Sequence, residues 1–227
     1  RINPALVQDL QCLPMPVDVS TNPQQPNWQP MPWTYAPLLL TSQASPITRN
    51  VAQVSATMAS CIDFVGGEDG LQKEVLLAPS SASRITGAPA EVDLSMFSGD
   101  ESTFKHAFIP VAASISGEFS SLYAHLLPPE GLELHAPQTK RSVPTKQIVV
   151  AAGSTIRNEW QYGQPLPLGY DQFTRMQFGN RDFMVNAVLY LTDDTGWMSL
   201  RQKELTLRLL NDQRARDYRI TAQVVCI

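Results

Sequence analysis

At 227 residues with a net charge of −4, the chain is long enough for one large all-β domain and too acidic for a dedicated nucleic-acid binder, which needs a basic patch. Only 17% of residues are charged, against roughly 25% in ordinary soluble domains, and the deficit sits at the front: before Asp63 the charges are Arg1, Asp9, Asp18 and Arg49, and the first lysine is Lys73. No apolar run approaches the ~20 residues that cross a bilayer. Cys12, Cys61 and Cys226 are odd in number and lack metal-ligand spacing, which excludes a disulfide framework and leaves them as buried or incidental thiols of a reducing compartment. No asparagine lies in an Asn-X-Ser/Thr acceptor. A start at Arg1 and a stop after a strand-like run suit a processed product or the ordered part of something longer.

Residues 1–46 hold nine of the eighteen prolines, with Trp28, Trp33 and Tyr35 set among them. Proline has no ladder donor and a fixed φ, so this segment is expected as an extended arm and not as a central strand. Its tryptophans want apolar contact, either on its own domain or on a neighbour, and deletion of the arm is expected to leave a soluble β-domain.

The β-sandwich domain is expected over 47–227. From Val51 to Phe64 apolar and polar residues alternate, as in a strand broken near Ser60, and Glu74 to Ala78 is expected to return antiparallel to it across the Gly66–Gly70 turn. Short runs at 84–86 and 92–94 are possible strands. Residues 104–116 are β-prone around Pro110, 119–134 forms a bent strand around Pro128-Pro129, and Thr145–Ala152 is a clean apolar strand. Thr155–Tyr162 alternates again, with 163–179 as a long loop. Three strands close the chain: Phe183–Leu191, which is nearly all apolar, then Leu205–Leu209, then Tyr218–Cys226. The sum is an all-β antiparallel sandwich of about eight strands, of jelly-roll type.

No catalytic constellation stands out. His106, His125 and His135 lack close ligand spacing, no Gly-X-Ser-X-Gly elbow is present, and no glycine loop of a phosphate-cradling type occurs. Glu68-Asp69 and Asp193-Asp194 are paired turn acids without the spacing of a calcium loop. No enzyme activity, metal or other cofactor is therefore expected. Arg214, Arg216 and Arg219 belong to a final stretch with an excess of three positive charges, suited to phosphates or to acids on a neighbour as well as to solvent.

The Pro/Trp arm at 23–37, the alternating strands at 51–65, 145–152 and 217–226, and the processed-looking ends together resemble the coat subunits of small icosahedral picorna-like viruses. That resemblance implies a structural capsid protein, assembled in the host cytoplasm into a virion with copies of itself or homologous capsid subunits. It further implies an RNA genome enclosed without sequence specificity, a host receptor as a further partner, and no membrane span. Trp28, Trp33 and Tyr35 then become subunit-interface residues, and Arg214, Arg216 and Arg219 RNA or inter-subunit contacts. The alternative is a carbohydrate-binding or adhesive β-sandwich, lectin-like, in which Trp28, Trp33, Trp160 or Trp197 stacks on sugars and Asn158-Glu159-Trp160 is the compact polar–aromatic group.

Overall fold

Runs of β-branched and apolar residues joined by turn residues build strands, and the computed structural model arranges them antiparallel. It describes residues 1–22, 24–66, 70–92, 101–121, 123–124 and 139–198. In chain order these hold β1 (Ile2–Asn3), β2 (Ala5–Asp9), β3 (Cys12–Asp18), β4 (Trp28–Thr41), β5 (Val54–Ser55), β6 (Cys61–Ile62), β7 (Gln72–Ala78), β8 (Ser83–Gly87), β9 (Ala112–Gly117) and β10 (Thr145–Val150). Two short hairpins follow, β11 (Trp160–Gln161) with β12 (Gln164–Pro165) and β13 (Tyr170–Asp171) with β14 (Met176–Gln177), and then the helix α1 (Asn180–Thr192). The main sheet runs β10-β9-β7-β4-β3, with β5 added to β4, while β2–β8 and β1–β6 form separate ladders. The expected all-β antiparallel class is observed, with one helix added.

The core lies where α1 packs on the sheet. Leu39, Ile47, Val54, Leu76, Leu77 and Val111 are fully buried, and α1 contributes Phe183 and Ala187, with Met184, Tyr190, Ile148 and Val150 closing around them. Leu76 and Leu77 are neighbours yet both buried, because a register shift between Val75 and Leu77 interrupts the alternation. Lys146 fastens the far end of the helix. Its ammonium donates to the Tyr190 and Asp193 carbonyls and lies 4.6 Å from the Tyr190 ring centre, a cation where the helix dipole is negative.

Two buried polar side chains tie separate elements together. The Asp9 carboxylate accepts the Gln11 N–H, the Ser80 N–H and the Ser80 hydroxyl, so the end of β2 is tied to the loop after β7. Fully buried Gln8 accepts from Arg84, whose guanidinium also lies 4.8 Å over the Phe104 ring. Cys12 and Cys61 are free, and burial, aided by the Asp9 charge, pushes the Cys12 thiol up to about 11.

The expected arm is instead part of the sheet. β4 is an interior strand, between β3 and β7, and β2 pairs with β8. The prolines are tolerated because of register. Pro14 faces Pro32 and Pro16 faces Pro30, while Met15–Met31 and Val17–Gln29 lie between them. The Val19 N–H donates to Asn27, so the odd-numbered pairs exchange ladder bonds and every one of these prolines falls on the parity that needs no donor. Tyr35, Ala36 and Leu39 in the second half of β4 are buried.

Four other expectations are corrected. Phe183–Leu191 is helical, because a continuous apolar run fits a buried helix as well as a strand, and here Phe183 and Ala187, four apart, face the core while Val185 and Val188 face outward. The 51–64 strand is reduced to β5 and β6, broken at Met58 (φ 53°), and β7 pairs with β4 and β9 instead. β9 begins only after Pro110. Residues 155–162 hold a 3-10 turn and β11, and the 163–179 loop contains three short strands. The strands expected at 205–209 and 218–226 lie outside the described residues.

Removal of residues 1–41 therefore abolishes folding, because it strips β2, β3 and β4 from their partners. A cooperative melt of the truncated chain by circular dichroism would restore the arm. Leu39→Ala costs about 2–5 kcal/mol in guanidinium denaturation.

Candidate functional site

After β10 the chain leaves the sheet through a 3-10 turn, Gly153–Ile156, and returns to it at α1. Ser154 pins the turn to the core edge: its hydroxyl accepts the Thr57 N–H at 2.8 Å and donates to the Thr57 carbonyl at 2.9 Å. Asn180, the first residue of α1 and only 2% exposed, pins the other end. Its Oδ1 accepts the Ser55 N–H (3.0 Å) and hydroxyl (3.1 Å), and its Nδ2 donates to the carbonyls of Ser55 (2.8 Å) and Thr155 (3.1 Å). Two glycines make room. Gly169 has a φ of +81°, and a Cβ there would lie 2.8 Å from that of Asn180; a Cβ on Gly179 would strike the Ala52 carbonyl.

Between these anchors lie the two hairpins. Tyr162 and Gly163 both have positive φ, 50° and 76°, so the β11–β12 turn is of type I′, whose twist matches its strands. Its base is closed by Asn158 Nδ2 donating to Leu166 O and by Leu166 N–H donating to Glu159 O, both at 2.7 Å. In β13–β14 the buried Asp171 carboxylate accepts the Thr174 N–H (2.7 Å) and hydroxyl (2.6 Å). The Gln172 backbone N–H lies beside the Glu159 carboxyl, where the turn of one hairpin approaches the base of the other. Glu159 Oε2 is buried without a hydrogen-bond partner. Burial first, and the nearby Asp171 charge second, push its carboxyl above the usual range.

Beneath the hairpins is a cavity of about 40 Å³ bordered by Thr57, Arg157, Glu159, Asp171 and Asn180. A water molecule takes up roughly 30 Å³, so the space suits a solvent molecule and not a substrate, which needs several hundred. The lobe's chemistry is on its outside. Ile156, Trp160, Tyr162, Phe173 and Met176 are exposed, Tyr162 at 96% and Trp160 at 66%, and Arg157 and Arg175 of the same lobe are exposed too. Among the described residues no group of three or more His, Cys, Asp or Glu side chains is placed to hold a metal ion, and no helix is long and apolar enough to cross a membrane.

The three aromatic residues expected at a subunit interface differ in exposure. Tyr35 is fully buried in the core, Trp33 is half-buried with its ring 5.2 Å from that of Tyr35, and only Trp28, at the outer end of β4, is open to solvent at 63%. Arg214, Arg216 and Arg219 lie outside the described residues. Of the Asn158-Glu159-Trp160 group, Asn158 and Trp160 are exposed, Asn158 while closing the hairpin base, and Glu159 is partly buried. Asn180 and Tyr162 were missed. Tyr162-Gly163 between Trp160-Gln161 and Gln164-Pro165 is a hairpin signal, whereas nothing local marks Asn180, whose partners lie 25 and 125 residues away.

Asn180→Ala strands buried groups of β5 and the 3-10 turn and costs about 3 kcal/mol or more, and Asn180→Asp fares no better because it turns an acceptor toward two carbonyls. Guanidinium denaturation of both variants checks this; an aspartate variant as stable as the parent contradicts it. Glu159 holds its proton more tightly folded than unfolded, so its contribution to stability is present at low pH and is lost as pH rises through the raised value. Glu159→Gln, which mimics the protonated form, matches the parent's Tm at pH 4 and exceeds it at pH 7.5. A gap independent of pH rules this out.

Comparison with curated proteins and with solved structures gives no match. Comparison with protein families gives a transport family over 1–187, which overturns the coat-subunit assignment. With it go the virion and host cytoplasm as location, and sister capsid subunits, genomic RNA and a host receptor as partners; the lectin alternative gains no support either. The resemblance rested on a neutral Pro/Trp segment, and such a segment serves as well inside a sheet as between subunits. Matched from residue 1 to residue 187, the chain belongs to the family described as ABC-type uncharacterized transport system.

Proposed function

We propose that the chain is an auxiliary component of an ABC-type transport system that acts by contact and catalyses no reaction. The observation that carries this reading is the family match, which spans the sheet, the two hairpins and the first half of α1. No phosphate-cradling glycine loop occurs in the sequence, so nucleotide hydrolysis falls to another subunit. Among the described residues the buried carboxylates Asp9 and Asp171 hold loops at Ser80 and Thr174, and the Ser83 hydroxyl donates to the His106 backbone carbonyl. What remains for function is a braced scaffold and the side chains it displays.

The partners on this reading are the ATP-hydrolysing and membrane-embedded subunits of the system, and the location is cellular and membrane-associated. The finer expectation of a jelly-roll sandwich stays a proposal about topology and is not needed for this role.

Co-expression with the ATPase and membrane subunits of its transport system, followed by detergent extraction and gel filtration, is expected to give a stoichiometric complex. The purified chain alone is expected to show no ATP turnover. A chain that elutes apart from those subunits, or that hydrolyses ATP by itself, overturns the assignment.

A further inference from the structure

We propose that the 153–178 lobe is a membrane-contact element, in which Trp160, Tyr162 and Phe173 enter the headgroup layer of an anionic bilayer while Arg157 and Arg175 meet its phosphates. This deepens the transport-system reading and rests on it for the presence of a bilayer close by.

The first support is the display itself. Trp160, Tyr162 and Phe173 expose 66%, 96% and 57% of their surface from two hairpins that approach one another at Glu159 and Gln172. Large apolar side chains gathered at loop tips leave apolar area in water that a folded chain normally buries. Tryptophan and tyrosine in particular settle at the membrane–water boundary, with the ring in the apolar layer and the N–H or O–H toward water.

The second support is backbone strain. Tyr162 occupies the first central position of a type I′ turn at φ 50°, where asparagine or glycine is favoured, and Arg175 sits at φ 57° in the other hairpin. Neither side chain is fixed by burial, so packing does not compensate for the left-handed backbone. Strain kept in exposed residues points to a use outside the fold.

The third support is charge. The lobe is formally neutral, with Arg157 and Arg175 against Glu159 and Asp171. Both acids face inward: Asp171 is 7% exposed and caps Thr174, and Glu159 Oε2 is buried beside the cavity. Both arginines are exposed, Arg157 also bordering the cavity near Glu159. Arg181 and Asp182, next along at the head of α1, are exposed and cancel one another. The outer surface is therefore cationic and aromatic, complementary to anionic headgroups. A protein partner fits less well, because interface anchors cluster around a well-packed pocket and the cavity here measures only about 40 Å³.

The test uses the 227-residue chain and vesicles of phosphatidylcholine alone or mixed with phosphatidylglycerol. The chain is expected to float with the mixed vesicles and far less with the neutral ones, and added salt reduces the difference. Trp160→Ala/Tyr162→Ala/Phe173→Ala abolishes flotation. Arg157→Gln/Arg175→Gln lowers affinity for the mixed vesicles about tenfold or more. Brominated acyl chains quench tryptophan emission; Trp160→Phe removes the quench and Trp28→Phe leaves it. All substituted positions are exposed, and unchanged thermal melts confirm that the variants are folded. No flotation of the parent chain, flotation unaffected by the aromatic triple variant, or a quench that survives Trp160→Phe overturns the proposal. If the triple variant instead loses the complex with the transport subunits while the parent never floats, the lobe is a protein dock. Flotation of a chain that forms no such complex would sink the transport assignment and leave the membrane contact standing.

Discussion

One amide holds the displayed part of this molecule in place. Asn180 supplies both donor and acceptor functions from a single buried side chain, and four hydrogen bonds leave it for β5 and the 3-10 turn. The helix, the edge of the main sheet and the exit of β10 therefore meet at one point, with Gly169 close enough that no other residue fits there without displacement. Because Asn180 itself is buried, losing these bonds strands both ends of its amide. The two hairpins are short ladders that would not persist alone, and they inherit their position from this anchor.

The front of the chain solves a different problem. A strand rich in proline cannot donate at every position, yet spacing the prolines two apart places them all on the parity facing away from the partner. The consequence extends beyond tolerance. Pro14 and Pro16 leave the outer edge of β3 without donors at those positions, and an edge of that kind is a poor template for another strand. The charge-poor segment is thus shielded from pairing in the place where its neutrality would otherwise invite it.

Of the acids beside the small cavity, Asp171 holds the β13–β14 turn and Glu159 lies at the base of the other hairpin. What the fold exposes there is aromatic and cationic, on turns whose backbone suits smaller residues.

Much was legible from the residues alone. Short β-prone runs marked β7, β8 and β10 close to their observed limits, because this feature is local to a few neighbouring residues. Three matters were decided only in three dimensions. Whether Phe183–Leu191 is strand or helix depends on which neighbours cover it, since its apolar residues satisfy both periods. Whether a proline breaks a strand depends on the register of its partner, which no single segment specifies. The role of Asn180 depends on carbonyls and N–H groups contributed from residues 55 and 155, brought together by the packing of the whole chain. Local sequence determines what an element can be; long-range pairing determines what it becomes.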